Sequence, residues 1–76
     1  MSEGEEGSFE MLTPREREVL QLVAEGRTNK EVADLIFVSV KTVETHKRHL
    51  KEKLNIRHTA GLIQYAIRKG LIVKDL

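Results

Sequence analysis

The stretch TNKEVADLIFVSVKTVETHKRHLKEKL, residues 28–54, decides how this chain folds. It opens on Thr28, whose hydroxyl can accept from the amide of Glu31 while the Glu31 carboxylate reaches back, a reciprocal cap that starts a helix. Val32, Ala33, Leu35 and Ile36 supply the buried face of that helix, which is only about two turns long. Phe37 and Val38 then cross to Ser39, a second capping residue. Beyond it, Val43, Leu50 and Leu54 fall within about 40° of one another at about 100° per residue, so a longer helix over about residues 40–54 carries one apolar stripe. Asn55 tolerates the left-handed conformation and closes it. A short helix, a brief turn and a longer helix therefore form the predicted centre of the fold.

The flanking sequence extends the pattern in both directions. On the N-terminal side, Thr13 and Glu16 repeat the reciprocal cap with Pro14 at the first helical position. Val19, Leu20, Val23 and Ala24 form its apolar stripe, and Gly26 supplies the left-handed residue that ends it. On the C-terminal side, a fourth helix is expected from about His58 or Thr59 to Lys69, burying Ile63, Ala66 and Ile67 and stopping at Gly70. In that register Leu62, Tyr65 and Lys69 lie outside, so Leu62 and Tyr65 present apolar area to solvent. Leu71, Ile72 and Val73 are expected to fold back on the bundle. Sustained period-two alternation and Asn-Gly or Asp-Gly hairpin signals are missing. The fold class is all-α: a four-helix helix-turn-helix bundle.

Seventy-six residues suffice for one domain, and a chain this short buries only about 60% of its unfolded surface, so every apolar helix face is needed. Residues 1–11, rich in Gly, Ser and Glu, read as a flexible acidic tail or linker, and residues 12–76 as the domain. A linker in front suggests a domain that follows another. With no cysteine, neither disulfides nor thiolate metal sites enter, which suits a reducing cytoplasm. No apolar run approaches the roughly 20 residues that cross a membrane. The first ten residues lack the apolar core of a signal peptide, and the final Val73-Lys74-Asp75-Leu76 is not a retention signal.

The net charge of +1 hides an asymmetry. The chain holds 13 Lys and Arg against 12 Asp and Glu. Four of the acids, Glu3, Glu5, Glu6 and Glu10, precede residue 11, which leaves a net of +5 on the rest. Lys41, Lys47, Arg48, Lys51, Lys53 and Arg57 cluster in 41–58 against Glu44 and Glu52. Such a stretch is a candidate polyanion-binding surface. On the side of the third helix opposite its apolar stripe lie Lys41, Glu44, Thr45, Arg48 and Glu52, with Thr42 and His49 along one edge and Lys47 and Lys51 along the other. Arg can bind guanine bidentately, Glu can accept from a cytosine amino group, and a Thr methyl can touch thymine. A purely basic stripe would bind any duplex; this mixture suits readout. His46 and His49 could share a metal only with a third ligand, and none lies near in sequence, so packing or phosphate roles are expected instead. Nucleophile-base-acid, paired-carboxylate and Gly-rich phosphate signatures are absent, which argues against an enzyme.

The runs LTPREREVL (12–20), NKEVA (29–33) and SVKTVETH (39–46), with Gly26 and Lys53-Leu54, together resemble the LuxR-type (NarL/FixJ) effector domain of bacterial transcription regulators over residues 12–72. The resemblance implies a four-helix domain whose third helix enters the major groove of double-stranded DNA and whose fourth helix forms a dimer. Matched by position, it implies base reading by Glu44, Thr45 and Arg48, and phosphate contacts by Lys30, Lys41, Thr42 and Lys47. It requires no cofactor. Asn55 departs from the usual Gly. Lys47 replaces a common aliphatic residue, so it either snorkels over the core or reaches a phosphate, and Leu62 replaces a common Ala. The expected homodimer surface is Leu62, Tyr65 and Lys69, pairing two copies on an inverted-repeat operator. The competing reading is a protein-docking module that contacts RNA polymerase or another regulator.

Overall fold

Thr13, Thr28 and Ser39 start three of the four helices in the computed structural model, which describes residues 7–72. The order is α1 (Pro14–Ala24), α2 (Asn29–Ile36), α3 (Val40–Leu54) and α4 (Thr59–Arg68), preceded by a single 3-10 turn at Phe9–Met11. No strand forms among the described residues. Thr13 Oγ1 accepts from the Glu16 amide at 3.1 Å while Glu16 Oε1 accepts from the Thr13 amide at 2.9 Å. Thr28 and Glu31 repeat the box at the same two distances, and Ser39 accepts from the Thr42 amide at 3.0 Å. Each cap satisfies amides that the helix start leaves orphaned, worth about 1 kcal/mol apiece. α2 and α3 both end on a left-handed residue that is not glycine, Phe37 at φ 59° and Asn55 at φ 56°.

α1 packs against both α3 and α4, and α2 closes over α3. Leu20 and Val19 of α1, Val32 of α2 and Val43, Leu50 and Leu54 of α3 are fully buried in one cluster. Leu35 departs from expectation, because it is exposed, as is Phe37 at 93%. α2 is only eight residues long, and Val32, Ala33 and Ile36 complete its inner face.

The register of α4 corrects the sequence-based one. Leu62 and Tyr65 are 0% exposed and, with Ala66, form the inner face. Ile63 and Ile67 are half-buried. Leu62 and Tyr65 are therefore not the solvent-facing dimer surface expected above, and only Lys69 stays exposed, its Nζ 5.7 Å from the Tyr65 ring centroid. Positions 62, 65, 66 and 69 repeat as regularly as 63, 66, 67 and 70, and Ala66 belongs to both stripes, so periodicity cannot separate them. Packing does. Tyr65 is the largest fully buried side chain. Gly61 lets Ile56 lie across the first turn of α4, since a Cβ there would stand 2.7 Å from Ile56 Cγ2. That close approach belongs to the register in which Leu62 and Tyr65 face inward.

The N-terminal boundary is corrected as well. The expected flexible tail through residue 11 is, over residues 7–11, a strap laid against the bundle. The Gly7 amide donates to the Leu54 carbonyl at 2.9 Å, satisfying one of the carbonyls that the end of α3 leaves open. A Cβ on Gly7 would overlap the Lys53 carbonyl, so the contact admits only glycine. Phe9 packs on the core, and the Arg17 guanidinium sits 4.7 Å from its ring centroid. At the other end Leu71 and Ile72 fold back half-buried, the Leu71 amide donating to Ala66; Val73 lies outside the described residues.

Candidate nucleic-acid interface

With Val43, Leu50 and Leu54 turned inward, the 15-residue α3 must turn Lys41, Glu44, Arg48 and Glu52 outward, and all four are exposed. Thr45 sits among them, half-buried, its hydroxyl donating to the Lys41 carbonyl at 3.1 Å. The hydroxyl is thus committed to its own helix, which leaves the methyl as the free end of the side chain. Arg48 Nε lies 3.9 Å from Glu52 Oε1 with both side chains well exposed. Such a pair is worth about 0.5 kcal/mol or less and yields readily to a stronger partner. The three expected base-reading residues, Glu44, Thr45 and Arg48, therefore share one face.

The expected phosphate contacts fall in two groups. Lys30, near the start of α2, and Lys41, near the start of α3, are exposed. Thr42 is half-buried, its Oγ1 2.9 Å from that of Ser39, so its hydroxyl belongs to the cap. Lys47 is half-buried, and its Nζ donates to Asn29 Oδ1 at 3.0 Å, bridging α3 to the start of α2. Burial first, then neighbouring Lys51, hold its pKa below the usual lysine range, while Glu44 pulls the other way. His46 is half-buried and His49 exposed, and no group of three metal-ligating side chains occurs among the described residues.

A brace behind α3 was not legible in the sequence. Glu16, 3% exposed, caps α1 and also receives Lys53 Nζ at 2.7 Å, tying α1 to the last turn of α3. Burial opposes the Glu16 carboxylate, but the Lys53 ammonium and Thr13 outweigh it and hold its pKa below the ordinary 4.5. A depressed folded pKa contributes stability that is present above the unfolded value and lost as pH falls through the folded one. The melting temperature should therefore drop, as the pH falls below about 4.5, more steeply in the wild type than in Glu16→Gln. Parallel melting curves for the two proteins across that range would remove the brace from the account.

The outer side of α4 offers a different surface. Ile63 and Ile67, with Ala60, Ile72 and Ala24, line an open, mainly apolar groove of about 480 Å³ between α4 and the end of α1, with Gln64 and Glu25 as its polar members. No helix among the described residues is long and apolar enough to cross a membrane.

A short capped helix, a tight turn and a longer helix with a mixed-charge outer face define a helix-turn-helix domain. The GerE model, described as bacterial regulatory proteins of the luxR family, matches residues 10–66, and the chain belongs to that family. It is 51% identical over 70 residues to the transcriptional regulatory protein MctR of Rhizobium johnstonii, covering 92% of this chain and 32% of that protein. It is 50% identical over 64 residues to the oxygen regulatory protein NreC of Staphylococcus carnosus, covering 84% and 30%. The chain thus spans about a third of the length of these curated relatives, which are regulators rather than enzymes. Among solved structures, the LuxR-type receptor VqmA of Vibrio cholerae, described as a dimer, superposes with a TM-score of 0.74 at 35% identity, covering 79% of this chain and 27% of that one. The response regulator ChrA of a heme-sensing two-component system superposes with a TM-score of 0.72 at 36% identity, covering 80% and 30%. The all-α fold class read from the sequence is the fold of the parts of these neighbours that superpose.

Proposed function

We propose that the chain is the DNA-binding output domain of a cytoplasmic bacterial transcription regulator, with α3 in the major groove of an inverted-repeat operator. The observation that carries this is the face of α3. Glu44, Thr45 and Arg48 stand together opposite a fully buried stripe, with lysines at the near end and along one edge. Glu44, Thr45 and Arg48 read bases, and Lys30, Lys41, Thr42 and Lys47 contact phosphates. Membership of the luxR family and the similarity to the regulatory proteins MctR and NreC support the same reading.

The working unit is a homodimer through α4. Because Leu62 and Tyr65 are spent inside the protomer, the surface moves to Ile63 and Ile67, whose groove is mainly apolar and open. An isologous contact needs only that one patch, and the VqmA neighbour is described as a dimer. The buried area is small, so each protomer's grip on a half-site consolidates the pair.

Selection from random duplexes, followed by anisotropy titration across a salt series, tests the reading. With about four or five phosphates per protomer, the dimer should give a log–log salt slope of about −7 to −9. A slope shallower than about −3 would point instead to docking on a protein such as RNA polymerase.

A further inference from the structure

Two cations of α3 are held to another helix, but Lys53 meets the Glu16 carboxylate whereas Lys47 meets only a neutral amide, that of Asn29, 18 positions earlier. The place of Lys47 works against a positive charge. It is half-buried, Lys51 is a like charge one turn away, and Asn29 is the first residue of α2, where the helix dipole repels cations. An easier arrangement lies within reach. Glu44 is three residues earlier on the same helix, a spacing that favours ion pairs. Among the described residues, however, no ion pair joins Lys47 to Glu44. The neutral amide of Asn29 takes the ammonium instead. The residues gathered there, Asn29, Glu44, Lys47, Arg48 and Lys51, line one notch between α2 and α3. Lys47, Arg48 and Lys51 outnumber the one carboxylate there, Glu44, so the notch suits an anion supplied from outside.

We propose that Asn29 is a positioning residue for DNA binding. By accepting from Lys47 it holds the ammonium in the notch as a contact to one backbone phosphate. It also keeps Lys47 away from Glu44, whose carboxylate stays free to accept from a cytosine amino group. The proposal rests on the DNA-binding reading above and adds a role for a residue that contacts no base. A carboxylate at position 29 would hold Lys47 more tightly but would repel the phosphate. An uncharged acceptor does the first without the second.

The test is a double-mutant cycle on the 76-residue chain, read by anisotropy on two labelled duplexes, one selected and one of mixed sequence. Lys47→Met should make the salt slope shallower by about 0.9 per protomer. Asn29→Ala, and Asn29→Ser as a variant that also keeps the start of α2, should weaken the mixed duplex about three- to tenfold and the selected one at least as much, with melting temperature nearly unchanged. In the Lys47→Met background Asn29→Ala should cause no further loss, because its effect passes through Lys47. Additive losses, or full affinity in both Asn29 variants, would overturn the positioning role while leaving the DNA reading intact. A wild-type chain without salt-dependent duplex binding would overturn that reading and this one with it.

Discussion

Arg48→Ala should relax sequence preference at one base position, weakening the selected duplex about tenfold or more and the scrambled one little, while Lys41→Ala weakens selected and scrambled duplexes alike. Arg48 sits near the middle of the outer face of α3, and its ion pair with Glu52 is long and exposed, so the guanidinium is available to a guanine edge. Losing one bidentate contact costs about 1–3 kcal/mol at a single base position and nothing elsewhere. Lys41, in the first turn of α3, is exposed and sits where a phosphate contact positions the helix without reading sequence. The measurement is the dissociation constant of each variant on both duplexes at fixed salt. Equal losses on the two duplexes for Arg48→Ala would remove it from the reading face.

Leu62→Glu should unfold the domain, whereas Ile63→Glu should leave it folded and destroy only cooperative occupancy of a full operator. Leu62 is 0% exposed in the main cluster, and an unpaired carboxylate buried there costs several kcal/mol. That is comparable with the whole stability of a small domain, about 5–15 kcal/mol at most. Ile63, one position away, lines the open groove, so a carboxylate there remains hydrated. Circular dichroism separates the two outcomes for the fold, and half-site against full-site titration reads the dimer. A cooperative, wild-type-like melt for Leu62→Glu would return α4 to the register with Ile63 and Ile67 inside. Surviving cooperativity in Ile63→Glu would move the dimer surface off α4.

These two variants differ by one residue, and the distinction between them was not legible in the chain. The helices were. Thr13 with Glu16, Thr28 with Glu31, and Ser39 with Thr42 are pairs three residues apart, so each cap is complete within its own segment. The inner stripe of α3 was equally clear, because Val43, Leu50 and Leu54 are apolar residues of an otherwise mostly polar helix and fall on one side of it. For that reason the outer face, with Glu44, Thr45 and Arg48, followed as soon as the stripe was found.

What the sequence by itself determined, then, is what local chemistry encodes: where helices begin and end, and which side of a strongly amphipathic helix is buried. The tertiary structure alone decided the rest. α4 is apolar on two adjacent stripes, and the fit of Tyr65 in the core chose between them. Glu16 was read as a cap, yet its second partner, Lys53, lies 37 residues away. Lys47 reaches Asn29 on another helix, and Gly7 docks by its backbone on the end of α3. Each of these depends on two segments arriving at the same point in space. A residue's type and spacing record the helix it sits on, but not which neighbour the packed bundle will set against it.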